Sequence, residues 1–159
     1  ILDALSYDTA VNIEQWIEGV ELSVSILGTG WDAHALPPVE IVPEGQFFDA
    51  AARLDADLVE FRCPPRPESL SDDPVQAEGI RAEIERAALE VYRAYSVRDL
   101  GRIDMIWDGA QAKCFEIDVS PGMTNHSLFP LSCETAGLSM SAVLDELVQV
   151  AAGRAAFQL

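Results

Sequence analysis

Apolar and polar residues alternate in several stretches of the first half of the chain. Over Glu21–Leu27 every second residue is apolar, which predicts a strand with one face in the core. The apolar run Val11–Trp16 predicts a strand before it, and Val39–Val42, enclosed by prolines, predicts a third. A short strand is also expected near Leu58–Arg62, whereas Ile1–Tyr7 has the pattern of a helix end.

Two later stretches repeat apolar residues every three or four positions and therefore predict helices. Asp72 or Asp73 can cap the first helix, and Pro74 suits its first turn. Its apolar face consists of Ile80, Ile84, Ala88, Val91 and Tyr95. The second helix follows Ser139, and its inward residues are Val143, Leu144, Leu147 and Val148. Together with the strands, these helices indicate the α+β fold class.

Two segments lack the pattern of a helix or a strand. Glu44–Leu70 is rich in proline, aspartate and alanine and, apart from its short strand, predicts a long loop. Loops of this length in compact domains are usually lids or binding loops. Val119–Pro130 is rich in glycine, serine and threonine. Its Gly122 could bring a backbone N–H close to a ligand, or the segment could be only a turn before the last helix.

A hairpin is predicted between the two helices, with an Asp-Gly turn at 108–109. Arg102 and Asp104 share one face of its first strand, and Glu116 and Asp118 share one face of its second. If the pairing register brings these faces together, three carboxylates and one guanidinium converge. Such a cluster is costly unless a cation lies among the oxygens, and oxygen ligands suit Mg²⁺ or Mn²⁺. On alternation alone, a hairpin with its charged face in water is the simpler interpretation.

Composition narrows the classes of partner. The 159 residues, 49% of them hydrophobic, suit one compact domain. Lys+Arg 10 and Asp+Glu 27 give 10 − 27 = −17, which argues against nucleic acid and against an anionic membrane surface. A nucleotide would therefore need a cation, a few placed arginines or backbone N–H groups. The three cysteines have neither zinc nor disulfide spacing, and we expect reduced thiols in the cytoplasm.

The residues around the hairpin resemble a known signature. Gly101-Arg-Ile-Asp104, followed by Glu116-Ile-Asp-Val-Ser-Pro-Gly-Met-Thr-Asn-His-Ser-Leu-Phe-Pro130, is similar to the motif of the D-alanine–D-alanine ligases, members of the ATP-grasp superfamily. A match of this length is highly specific. The resemblance implies the carboxy-terminal part of an ATP-grasp domain, a mostly antiparallel sheet packed with helices. We expect residues 1–159 to form one domain with a mobile lid over 44–64, cut from a longer protein whose amino-terminal parts are absent.

The resemblance also implies the chemistry of the hairpin. Asp104, Glu116 and Asp118 would bind the Mg²⁺ ions that bridge the phosphates of ATP. Arg102 and the N–H of Gly122 would stabilise a tetrahedral oxyanion. The reaction implied is ATP-dependent formation of a D-alanine dipeptide through an acyl phosphate, for peptidoglycan precursor synthesis in the cytoplasm. The full-length enzyme could be a homodimer, and the fragment alone should be inactive.

The remaining implied contacts concern ATP and the second substrate. Ser127 and the N–H of Leu128 would hold the carboxylate of the second D-alanine. The nucleotide would contact Glu14, Trp16, Ile17, Glu21, Phe47 and Arg53. Three positions depart from the family pattern: Asp118 replaces an asparagine, Arg53 a lysine and Leu54 a tyrosine. These departures leave open a related ligase for another D-amino or hydroxy acid, or a degenerate domain that catalyses nothing.

Overall fold

An antiparallel sheet forms the centre of the protein, whose computed structural model describes residues 2–45 and 56–154. Its strands are β1 (Val20–Leu27), β2 (His34–Ala35), β3 (Val39–Pro43), β4 (Val59–Arg62), β5 (Leu100–Trp107) and β6 (Ala112–Asp118). They lie in the order β4-β3-β1-β5-β6, with β2 paired to one end of β1. Each of these pairings is antiparallel. The sheet confirms the predicted α+β class.

Helices connect and cover the strands. They are α1 (Pro67–Leu70), α2 (Pro74–Ala94), α3 (Leu128–Thr135) and α4 (Met140–Ala152). Short 3-10 turns lie at Ala4–Ser6, Gly30–Asp32 and Ala56–Leu58. The carboxylate of Asp73 accepts the Val75 N–H at the start of α2, and the Ser139 hydroxyl accepts the Ala142 N–H at the start of α4. These contacts satisfy backbone donors that the first helical turn leaves free.

The two faces of the sheet have different contents. One face packs against α2 in the main core, formed by Leu22, Val24, Ile26, Ala33, Ile84, Ala88, Tyr92, Ile103, Met105 and Trp107. The apolar residues predicted along β1 are therefore buried as expected. On the other face α3 and α4 cover smaller clusters around Phe129 and around Val39. Between these clusters the second face carries polar side chains of β1 and β5.

Three predicted strand and loop assignments need correction. Val11–Trp16 is not a strand: it has no regular structure, and its Ile13 and Trp16 are 75% and 61% exposed. An apolar run forms a strand only where a partner strand accepts its backbone hydrogen bonds, and none of the described strands pairs with this segment. The loop predicted over Val119–Pro130 is confirmed only as far as Ser127, because α3 begins at Leu128 and Pro130 lies in its first turn, where proline is tolerated. The loop predicted over Glu44–Leu70 contains α1.

The predicted helix faces also need correction. In α2, Tyr92 is buried, whereas Tyr95 is 72% exposed because the helix ends at Ala94. In α4, Val143 is buried, whereas Leu144 and Val148 are 44% and 66% exposed. The inward stripe of each helix is thus narrower than its apolar residues indicate. Among the described residues, no helix is both long and apolar enough to traverse a lipid bilayer.

Candidate active site

The register of the β5–β6 hairpin brings the charged residues of the signature onto one face. Arg102 lies opposite Asp118, and Asp104 lies opposite Glu116. This face is the one that carries α3 and α4, not the one that packs on α2. The convergence that the sequence left dependent on register therefore occurs.

A β-bulge makes this convergence possible. Near the hairpin turn, Trp107 pairs with Ala112 and Met105 pairs with Cys114 in one register. The register then shifts by one residue, so that Asp104 pairs with Glu116. Phe115 is the additional residue, and its side chain is 45% exposed. Without the shift, Phe115 would lie opposite Asp104, and the carboxylates of β6 would point to the other face, since side chains alternate along a strand. Bulges often redirect side chains in this way next to active sites.

Arg102 lies between two of the carboxylates. Its Nε and Nη2 donate to the two oxygens of Asp104 at 2.8 and 2.8 Å, and its Nη1 lies 3.3 Å from Asp118 Oδ2. The side chains of Arg102 and Asp104 are only 11% and 8% exposed. Burial acts to lower the pKa of Arg102, but the hydrogen bonds to Asp104 and the charges of Asp104, Asp118 and Glu116 outweigh it, so the pKa is raised. The guanidinium is therefore permanently charged.

Asp104 has a further partner on the neighbouring strand, which the sequence analysis missed. Ser23 of β1 lies opposite Asp104, and its hydroxyl donates to Oδ1 at 2.7 Å. Both residues are buried, Ser23 completely and Asp104 with 6% exposure. The alternation in β1 placed Ser23 on the polar face but could not show which strand would pair with it.

The loop after β6 joins Asp118 to α3. Asp118 Oδ1 accepts the Ser120 N–H at 2.9 Å, which orders the start of the loop. A Cβ at Gly122 would lie 2.7 Å from the Ser127 Oγ, so a side chain at this position would displace the Ser127 hydroxyl. Ser127 Oγ also accepts the Thr124 N–H at 3.1 Å, and Leu128 is the first residue of α3. The structure thus brings Gly122, Ser127 and the amino terminus of α3 together.

The residues expected to hold the nucleotide base lie before and within β1. Glu14 and Trp16 are exposed in the irregular segment ahead of the strand, and Ile17 is half-buried. Glu21 is half-buried in β1, on the face that also carries Ser23. A Cβ on Gly19 would lie 2.2 Å from the Trp107 carbonyl oxygen, so glycine is required where this segment passes the end of β5.

Part of the predicted lid is not described. Phe47, Arg53 and Leu54 lie outside the described residues, so their predicted contacts stay predictions. The described end of the segment contains β4, which confirms the short strand expected near Leu58–Arg62. Arg62 at the end of β4 donates through Nη1 to Oε1 of Glu40, a buried carboxylate of β3, at 3.3 Å. Glu40 also accepts from Ser69 Oγ at 2.6 Å and from the Arg66 N–H at 3.2 Å, which holds the segment after β4.

The oxygen donors of the hairpin suit a divalent cation that also binds phosphate. Within residues 2–45 and 56–154, no three His, Cys, Asp or Glu side chains form a group able to hold a metal by themselves. Arg102 lies between Asp104 and Asp118, whereas Glu116 is exposed. Mg²⁺ commonly takes one or two carboxylates and completes its shell with waters and phosphate oxygens. These residues therefore suit a cation that is also coordinated by nucleotide phosphates, and they do not suit a cation coordinated by protein ligands alone.

The sheet and its hairpin define the carboxy-terminal part of an ATP-grasp domain. A family model described as "D-ala D-ala ligase C-terminus" matches residues 1–149. The chain therefore belongs to the D-alanine–D-alanine ligase family.

Curated relatives extend well beyond this chain. The D-alanine–D-alanine ligase of Mannheimia succiniciproducens is 33% identical over 150 residues, which cover 94% of this chain and 45% of that protein. That of Bordetella avium is 38% identical over 137 residues, which cover 86% of this chain and 40% of that protein. The chain thus spans less than half the length of these relatives.

Solved structures share the fold. A D-alanine–D-alanine ligase from Bacillus anthracis matches with a TM-score of 0.71 and 27% identity, covering 93% of this chain and 44% of that one. The ligase of the same organism complexed with ATP matches with a TM-score of 0.64 and 26% identity, covering 86% and 40%.

Proposed function

We propose that this chain supplies the ATP- and metal-binding half of an ATP-dependent ligase that joins two D-alanine molecules. One observation carries the proposal: Arg102, Asp104, Glu116 and Asp118, all part of the family signature, lie on one face of a bulged hairpin. Arg102, whose side chain is only 11% exposed, donates to both oxygens of Asp104, and this arrangement favours a site that binds phosphate and metal charges over a hairpin that only faces water.

The proposed reaction has two steps. The γ-phosphoryl group of ATP passes to the carboxylate of the first D-alanine, giving ADP and an acyl phosphate. The amine of the second D-alanine then attacks the acyl carbon, the peptide bond forms, and inorganic phosphate leaves. Little covalent chemistry falls to the protein in such transfers, so its residues act by positioning and by electrostatics.

Asp104, Glu116 and Asp118 are the proposed ligands of Mg²⁺ or Mn²⁺. When bound, the cation would neutralise charge on the phosphate oxygens. Replacement of the family's asparagine by Asp118 keeps an oxygen donor and adds one negative charge. Arg102 already lies 3.3 Å from that carboxylate and offsets the added charge.

Arg102 and the Gly122 N–H are the proposed oxyanion donors. Donors of this kind contribute about 3–4 kcal/mol each in well-studied examples. Ser127 and the Leu128 N–H are proposed to hold the carboxylate of the second substrate. In support, Ser127 stands at the amino terminus of α3, where backbone N–H groups favour anions.

The base and ribose of ATP are proposed to lie against the segment before β1. Glu21 is proposed to accept from the ribose hydroxyls and Glu14 from the adenine amino group, with the backbone of Trp16 and Ile17 at the adenine edge. Glu14 and Trp16 are exposed, which supports this assignment, because side chains packed in the protein core could not contact a nucleotide. Phe47 and Arg53 are also proposed to contact ATP, and for these two residues the proposal rests on the resemblance alone.

The cellular role proposed is the synthesis of peptidoglycan precursors in the cytoplasm, by a full-length enzyme that could be a homodimer. The second candidate is a ligase that takes a different second substrate. It is favoured by Leu54, which removes a hydroxyl that the family's tyrosine supplies.

An assay on the protein at its natural full length separates these candidates. ADP release and dipeptide mass would be measured with ATP, Mg²⁺ and D-alanine, then with other D-amino and D-hydroxy acids. Glu116→Gln should lower kcat at least tenfold, whereas Glu134→Gln, a similarly exposed carboxylate on α3, should not. Product with another acid but none with D-alanine would establish the second candidate. No ATP-dependent product with any acid would refute both.

A further inference from the structure

Ser23 is a completely buried hydroxyl on the central strand of the sheet. It lies on β1 directly opposite Asp104, and its Oγ donates to Asp104 Oδ1 at 2.7 Å. The contact joins residues 81 positions apart, so it exists only because β1 and β5 are neighbours. Ser23 is not part of the signature segment that contains Asp104.

The hydrogen bonds of Asp104 divide its two oxygens into different roles. A carboxylate has about four lone-pair positions, two on each oxygen. Oδ1 accepts from Ser23 Oγ and from Arg102 Nε, so both of its positions are occupied. Among the described residues, Oδ2 accepts only from Arg102 Nη2, which leaves one position open.

We propose that Ser23 is a positioning residue, which fixes Asp104 so that Oδ2 alone is presented to the cation. The proposal rests on the proposed function, since it assumes that Asp104 is a metal ligand. Without the Ser23 hydroxyl, Oδ1 regains an open position, and Arg102 is the only described residue left to orient the carboxylate. Partners of metal ligands commonly act in this way, and their loss weakens metal binding by about 10–100-fold.

Ser25 provides a matched control within the same strand. It is also completely buried, shares the face of Ser23 and lies opposite Arg102. Its Oγ, however, has no hydrogen-bond partner among the described residues. Removing the Ser25 hydroxyl therefore tests the effect of a lost buried hydroxyl without a lost contact to Asp104.

The test is titration of Mn²⁺ into the full-length protein with saturating ADP, with free Mn²⁺ followed by electron paramagnetic resonance. Ser23→Ala should weaken Mn²⁺ affinity about tenfold, and Ser25→Ala should leave it within twofold. Ser23→Thr, which restores the hydroxyl on a β-branched side chain suited to a strand, should recover the affinity. A purely structural role would lower the unfolding temperature of Ser23→Ala while leaving Mn²⁺ affinity unchanged in the folded protein.

Each other outcome is decisive. Equal Mn²⁺ affinity of Ser23→Ala and Ser25→Ala would overturn the inference while the proposed function stands. The inference would also fail if Ser23→Thr were as weak as Ser23→Ala. If Ser23→Ala does not fold, Ser23→Cys keeps the volume with a weaker donor and must show the loss instead. No Mn²⁺ binding by the unsubstituted protein would refute the proposed function itself, and the inference with it.

Discussion

Replacing Gly101 with alanine should destabilise the protein by overpacking the contact between β5 and α2. A Cβ at Gly101 would lie 2.9 Å from Tyr92 Cε2, 3.2 Å from Val97 Cγ1 and 3.3 Å from the Asp118 carbonyl oxygen. The Tyr92 ring cannot move aside easily, because it is completely buried and its hydroxyl donates to the Gly28 carbonyl at 2.8 Å. The added methyl group must therefore displace the ring or the edge strand that carries Asp118.

The magnitude follows from these distances. Inserting a methyl group into a packed core costs about 1–3 kcal/mol, and a first contact below 3.0 Å against a rigid ring places Gly101→Ala near 2 kcal/mol. For a domain of this size, that corresponds to a fall in unfolding temperature of roughly 4–8 °C. Urea unfolding followed by circular dichroism measures the free energy directly.

A double-mutant cycle identifies the cause. Tyr92→Leu creates space beside Gly101, so Gly101→Ala should cost less in that background than in the unsubstituted protein. A loss of less than about 0.5 kcal/mol for Gly101→Ala alone would refute the steric argument. Strict additivity of the two substitutions would show that the ring is not what the methyl group meets.

Three further substitutions test other parts of the structure by the same urea measurement. Gly79→Ala, at an exposed position of α2 where a Cβ meets nothing within 4 Å, should stabilise by up to about 1 kcal/mol, and a loss of stability would contradict the helix assignment. Glu40→Ala should cost about 1–3 kcal/mol, because it leaves the Ser69 hydroxyl and the Arg66 N–H without their acceptor. Arg62 keeps its ion pair with Glu60, so a cost under about 0.5 kcal/mol would show that the contacts of Glu40 contribute little. The hydrogen bond from Lys113, with help from backbone N–H groups, lowers the pKa of Asp108 to about 2. A lowered carboxyl pKa contributes stability above its unfolded value of about 3.9, so the stability difference between the protein and Asp108→Asn should be constant near neutral pH and shrink as pH falls from about 4 to 2. A difference that grew on acidification would contradict that sign.

The sequence predicted those parts of the fold that depend on local periodicity. The alternation in β1 and in the first strand of the hairpin correctly identified buried and polar faces, because strand side chains point alternately to opposite sides. Asp73 was one of two candidate caps of α2, and the start of α4 after Ser139 was predicted correctly. The signature residues then indicated that the charged face of the hairpin is the candidate functional site.

Features that depend on contacts between distant segments were not predictable from patterns. The bulge at Phe115 decides which face Glu116 occupies, yet no local residue pattern marks it. Ser23 could not be linked to Asp104 before the pairing of β1 with β5 was known. Val11–Trp16 has the apolar content of a strand but pairs with none of the described strands, so tertiary context overrides its propensity.

The central claim is that the charged face of the hairpin binds ATP through a divalent cation. Calorimetric titration of ATP into the full-length protein, with and without Mg²⁺, tests it most directly when Glu116→Gln is measured beside the unsubstituted protein. Glu116 is exposed, so its replacement should leave the fold intact. We expect ATP binding that depends on Mg²⁺ and is at least tenfold weaker in Glu116→Gln. Equal ATP affinity with and without Mg²⁺, or equal affinity in the two proteins, would contradict the account.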